Sequence, residues 1–176
     1  MKTKAIFLIP ILFIFILQSV LGQKQNDTTN NITFKHALGV AAGFTTGYGL
    51  SYRFTPNKFG AQLTFAPYKN GETAQYSLGI TFMYKIIESE FANFFLYQGN
   101  HFFYTKDKTY DYIYYYPNFS FTGREVVDKY WNNGIGIGIE FIILKRVSFN
   151  LMGGYAAYKN FENINITGET GLFFKF

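Results

Sequence analysis

From Gly134 to Ile143 the chain reads GIGIGIEFII, and this alternation restricts the fold more than any other stretch. Ile135, Ile137, Ile139, Phe141 and Ile143 fall on one side of an extended chain. Gly134, Gly136, Gly138 and Glu140 fall on the other, with Ile142 the exception. A 3.6-residue period would scatter these isoleucines around a cylinder, so the spacing predicts a strand with one large apolar face and one small face.

The same period recurs. Tyr48, Leu50, Tyr52 and Phe54 oppose Gly49, Ser51 and Arg53; Phe59, Ala61, Leu63 and Phe65 oppose Gly60, Gln62, Thr64 and Ala66. Tyr76, Leu78, Ile80, Phe82 and Tyr84 oppose Ser77, Gly79, Thr81, Met83 and Lys85. Short polar turns separate the runs, and Asn70-Gly71 is a strong hairpin signal. Eight strands are predicted, over about 33–42, 48–54, 59–67, 74–86, 91–104, 128–143, 147–158 and 163–176. The faces of 91–104 are left open. Consecutive hairpins make an up-and-down meander, which avoids exposed edges best by closing first strand to last. The fold class is all-β, an eight-stranded antiparallel barrel.

Which face is wet then decides the surroundings. The less apolar face holds mostly glycine, alanine, serine and threonine, with sparse charges: Lys35, Arg53, Lys85, Glu140, Glu169 and Lys175. Small residues suit the crowded interior of a narrow barrel and suit a solvated wall poorly. The aromatic and branched residues then face outward, which only lipid tolerates. Composition agrees: 22 phenylalanines, 15 tyrosines and 17 glycines stand beside 15% charged residues, against about 25% in soluble domains. Tyr68, Tyr84, Tyr104, Tyr130, Trp131 and Tyr158 lie near predicted strand ends, as in the aromatic girdles of transmembrane barrels. An even strand count puts both ends of the sheet on one side, and the longest connection, 105–127, on the other.

The chain ends GLFFKF, with Leu172, Phe174 and Phe176 on one face. In this it resembles the small outer-membrane β-barrel proteins of Gram-negative bacteria, in the style of the OmpA transmembrane domain and the OmpX-like barrels, and in particular the short barrels of Bacteroidetes-type species. The likeness spans nearly all of 32–176 and is one of architecture. It implies that Leu172, Phe174 and Phe176 form a signal read by the outer-membrane assembly machinery. It also implies outer-membrane lipids as surroundings and a monomeric barrel.

The front end has a different character. MKTK precedes an apolar run of about 17 residues containing Pro10, too short for a comfortable span. Val20 and Gly22 then offer a cleavage site, so residues 1–22 are expected to be a cleaved secretory signal peptide. Residues 23–31, QKQNDTTNN, read as a disordered periplasmic leader, and 32–176 as the barrel domain. Losing Lys2 and Lys4 lowers the formal net charge from +5 to +3, and the remaining excess is scattered, so nucleic acid is not an expected partner. Without cysteine there are no disulfide staples and no thiolate metal site.

The segment 105–127 is expected to be a long outward loop. It balances four acidic against four basic residues when extended to Lys129, and it carries Tyr110, Tyr112, Tyr114, Tyr115 and Tyr116. Tyrosine gives a large contact area at low entropic cost, so a surface partner is one reading. The other is that strands five and six continue above the membrane, and a variant gives 110–116 a strand of its own. The chain shows no metal cluster, phosphate loop or cofactor motif, and no catalytic residue is assigned. His36 and His101 have no local partner that suggests a triad, although His101 would approach Ser120 if the long loop folded back. The expectation is a structural or adhesion-like surface protein. A narrow pore, a soluble lipocalin-like lipid binder and a lipid A-modifying acyl enzyme remain as alternatives.

Overall fold

Eight antiparallel strands form one closed ring: β1 (His36–Gly43), β2 (Gly49–Phe54), β3 (Phe59–Asn70), β4 (Thr73–Glu88), β5 (Ala92–Tyr115), β6 (Asn118–Ile143), β7 (Val147–Tyr158) and β8 (Asn163–Lys175). The computed structural model describes residues 34–115, 118–143 and 145–176. The expected signal peptide (1–22), the leader (23–31) and Tyr116 lie outside the described residues. Each strand pairs with its sequence neighbours, and the ring closes where β1 meets β8, from Ala37↔Lys175 to Gly43↔Glu169. Backbone bonds between His36 and Phe176, in both directions, extend that seam by one step.

The alternation orients the wall. Ser77, Gly79, Thr81 and Met83 of β4 point inward and are buried, while Tyr76, Leu78, Ile80 and Phe82 point outward and are exposed. On β6, Ile135 and Ile137 are 66% and 64% exposed, whereas Glu140 is 5% exposed. The faces left open on β5 resolve the same way: Asn93, Phe95, Tyr97 and His101 are buried, and Phe94 and Leu96 are exposed. A soluble barrel required the aromatic face inside; the structure puts it outside. Three girdle candidates do not share that outward register, Tyr68 among them, at two-residue steps from inward Gln62 and Thr64. Tyr130 shares the register of inward Asn132, and its ring lies 5.0 Å from that of Phe103. Tyr158 shares the register of inward Ala156, and its hydroxyl donates to the Ile166 carbonyl at 3.0 Å.

Turns at residues 55–58 and 89–91, with that between β6 and β7, lie at the end holding His36 and Phe176, here the proximal end. The turns after β1, β3 and β7 lie at the distal end, with the far ends of β5 and β6. The Asn70-Gly71 signal marks a hairpin whose two loop residues are Gly71 and Glu72, with Asn70 paired to Thr73. Gly71 has φ 57°, a region open to glycine at no steric cost.

For 105–127 the structure bears out the reading in which strands five and six continue, not the outward loop. Here β5 runs to Tyr115 and β6 begins at Asn118, paired residue by residue from Thr105↔Asp128 to Tyr115↔Asn118. Among the described residues no extra strand arises, because 110–115 continues β5. The β4 pairing of β5 stops at Lys106, and the β7 pairing of β6 stops at Asn133. Beyond them the two strands run on as a free ribbon of roughly 30 Å at the usual rise per residue. Ion pairs brace its base, Lys106 to Glu125 at 3.0 Å and Lys108 to Glu72 at 2.9 Å.

Candidate functional site

The inward face carries nearly all the buried polar chemistry, and it divides along the barrel axis. At the proximal end Glu140 of β6 sits between two cations. Its Oε1 lies 3.4 Å from Arg53 Nη1 and 3.0 Å from Lys175 Nζ, while Oε2 accepts from Asn93 Nδ2 at 2.8 Å. Arg53 also donates to Gln62 Oε1 from Nε at 3.2 Å and from Nη2 at 2.6 Å. With its carboxamide turned to face the guanidinium, Asn150 accepts from both Nη atoms. The Phe173 ring lies under the guanidinium, 3.9 Å from Cζ to centroid. Arg53 is 5% exposed, so a charge with this little water is satisfied on its edges by acceptors and on its face by a ring.

Of the six charges expected inside, Arg53, Glu140 and Glu169 are buried. Lys175 and Lys85 keep 17% and 21% of their side chains exposed near the proximal mouth. Lys35 precedes β1 and is exposed at that mouth, a correction that follows from its place beyond the first ladder pair.

A waist of Met83, Phe95, Tyr97 and Met152 fills the middle. The glycines of GIGIG make room for it. A Cβ on Gly136 would stand 2.8 Å from Tyr97 Cε1, and one on Gly138 would overlap the Phe95 ring.

At the distal end the connection Phe44–Tyr48 folds into the lumen. Thr45 and Thr46 are 0% exposed. The Glu169 carboxylate of β8 receives five donors: Thr45 N at 3.1 Å and Oγ1 at 2.5 Å, Thr46 N at 3.2 Å and Oγ1 at 2.6 Å, and Thr167 Oγ1 at 2.8 Å. No lysine or arginine among the described residues forms an ion pair with it. Consecutive backbone N–H groups turned toward one carboxylate make a small anion nest, here filled by the protein's own side chain.

A second set of bonds holds the same turn. His101 Nδ1 and Asn132 Nδ2 both donate to the Phe44 carbonyl at 3.0 Å. With Nδ1 as donor, His101 Nε2 is an acceptor, and Ser77 Oγ donates to it at 2.9 Å while accepting from Tyr48 N at 3.2 Å. His101 therefore meets Ser77, a partner that sequence spacing did not suggest, beneath a turn that keeps both side chains buried.

Three strands are carved to receive the turn. A Cβ on Gly79 of β4 would overlap the Thr46 carbonyl oxygen; on Gly99 of β5 it would stand 2.7 Å from the Thr45 carbonyl oxygen; on Gly134 of β6, 2.7 Å from Thr45 Cγ2. Gly47, with φ +78°, supplies the reversal.

The remaining predicted residues lie elsewhere. Leu172, Phe174 and Phe176 line the outer face of the seam at 49%, 48% and 53% exposure. The Phe176 ring stacks 5.9 Å from His36, which faces outward and bonds Tyr52 Oη through Nδ1 at 2.6 Å. Tyr110, Tyr112, Tyr114 and Tyr115 lie on the free part of β5, known by backbone pairing alone.

No family model and no curated protein matches the chain. Solved structures do, among them the N-terminal β-barrel domain of Pseudomonas aeruginosa OprF, at 11% identity and TM-score 0.48, covering 80% of this chain and 95% of that one. Neisserial surface protein A (NspA) matches at 16% identity and TM-score 0.42, covering 80% and 94%. At these identities and scores the likenesses carry no argument about role; the eight-stranded ring rests on this chain's own strand register.

Proposed function

We propose that the chain is an integral outer-membrane β-barrel, a monomer with a filled lumen, whose task is to hold the β5–β6 ribbon outward as a contact element. One observation supports it above the others: a closed ring with Arg53, Glu140 and Glu169 inside and a wall of exposed apolar side chains outside. Leu50 is 71% exposed, Ile137 64%, Tyr155 68% and Ile166 72%. Water would penalise such a wall, and a hydrocarbon layer removes the penalty at about 25 cal/mol per Å². The proximal end then faces the periplasm, and the ribbon faces the outside. Closure leaves no lateral edge for a second copy. Leu172, Phe174 and Phe176, on the strand that closes the ring, are suited to recognition by the assembly machinery.

Expression in a Gram-negative host tests the location. The protein is expected in the outer-membrane fraction, with a folded gel band that shifts on boiling. A soluble periplasmic product would refute the reading.

The ribbon reading has its own test. Replacing residues 107–126 by a two-residue Asn-Gly turn is expected to leave the boiling shift unchanged, since their ladder partners lie within the ribbon and the ion pairs Lys106–Glu125 and Lys108–Glu72 are at the solvent-exposed surface. Cell attachment or surface binding conferred by the intact barrel is expected to be lost. Attachment unchanged by the replacement would remove the ribbon from the function. A pore is the weaker reading, because the waist and the inward turn occupy the lumen.

A further inference from the structure

We infer that the proximal mouth of the barrel is a binding site for a phosphate-type oxyanion. A cavity of about 40 Å³ opens there, and its wall carries four cationic side chains, Lys35, Arg53, Lys85 and Lys175, against one carboxylate, Glu140. Such a volume admits a few waters or one small ion. Glu140 is already committed: Oε1 is shared by Arg53 and Lys175, and Oε2 is taken by Asn93. One carboxylate therefore serves two buried or half-buried cations.

The other two lysines add charge that Glu140 does not offset. Lys85 reaches the rim residue Glu88 only at 3.5 Å, and Lys35 forms no ion pair among the described residues. Counting Glu88 with Glu140, four positive charges face two negative ones across one small cavity. Like charges around a shared pocket repel, and low-dielectric walls focus the resulting potential. An anion seated among them relieves that repulsion.

The donors also define the ligand. An ammonium group has three N–H donors, and Lys175 gives one contact to Glu140. Ammonium donors around one mouth suit an oxyanion with several acceptor oxygens better than a halide, and Arg53, fixed by Gln62, Asn150 and Phe173, holds a positive charge in the cavity wall. Two sources present this chemistry: free inorganic phosphate, and the phosphate of a phospholipid headgroup in the leaflet at this end.

The test titrates the full barrel, refolded in a nonionic detergent free of phosphate groups, with inorganic phosphate at ionic strength held constant by chloride. The backbone amide resonances of Ala37 and Thr55 report occupancy. Saturable shifts are expected, and the Lys35→Gln/Lys85→Gln pair is expected to weaken binding about tenfold. That pair leaves Arg53, Glu140 and Lys175 in place, and the boiling shift checks that it folds. Shifts that fail to saturate, that chloride alone reproduces, or that the double variant retains at equal affinity would overturn the site. Repeating the titration in phosphatidylglycerol nanodiscs separates the sources. Unchanged phosphate binding assigns the site to the free ion, and abolished binding assigns it to a headgroup already seated.

Discussion

Glu140→Ala is expected to destabilise the barrel by about 3–5 kcal/mol, because it leaves a buried guanidinium without its carboxylate. Arg53 would keep Gln62, Asn150 and the Phe173 ring, yet lose the carboxylate that is its one ion-pair partner among the described residues, and Lys175 would lose Glu140 as well. Urea unfolding of the refolded barrel in lipid vesicles measures the loss. The comparison that isolates the cause is Arg53→Met with Glu140→Leu, which removes both charges and is expected to recover most of the stability. A single variant as stable as the parent would mean that water reaches Arg53 and that the pair is decorative.

The distal turn carries the second large effect. Glu169→Ala removes one acceptor group and orphans five donors, four of them from Thr45 and Thr46. Leaving buried donors unsatisfied costs about 1–3 kcal/mol each where no water replaces the acceptor, so the turn is expected to leave the lumen before paying that in full. The expected readout is local: amide exchange at Thr45 and Thr46 accelerates about 100-fold or more, while exchange in the waist strands stays within a few-fold of the parent. Glu169→Gln keeps an acceptor oxygen and is expected to lie between. Equal protection at Thr45 and Thr46 in the alanine variant would show that His101, Asn132 and Ser77 hold the turn by themselves.

Much of this molecule can be read from its order of residues, because a strand in a closed wall has a period of two and a one-residue slip would turn every side chain to the wrong face. That is why the inward position of Glu140 follows from Ile137 and Ile139 alone. The ribbon was harder to read for a related reason. From Lys106 to Lys129 charges break the apolar alternation, which is expected of a strand pair that leaves the membrane and no longer needs one greasy face. Nearness to a strand end singles out Tyr68, Tyr130 and Tyr158, whereas parity decides their side.

The inward turn was not legible in its own residues. Phe44-Thr-Thr-Gly47 has the composition of an ordinary connection. Its signal is spread over Gly79, Gly99 and Gly134, on three strands, and over Glu169, an inward carboxylate with no lysine or arginine ion pair among the described residues. Those residues become one site only once the ring is closed. His101 and Ser77 likewise meet through the β4–β5 register, where Ser77 lies opposite Phe103 and one inward step from His101.

The seam between β1 and β8 also sets an order of events in time. Ala37 pairs with Lys175, so the first strand of the ring waits for the last before either loses its open edge. Hairpins β3–β4 and β5–β6 have their partners at hand as soon as they are made, whereas the seam must close a loop spanning the whole domain. Until then the sheet is an unfinished cylinder with two adhesive margins and a greasy outer wall. On the proposed reading, such a chain would need its two open margins and apolar wall shielded until the ring closes, and Leu172, Phe174 and Phe176 lie on one of those margins.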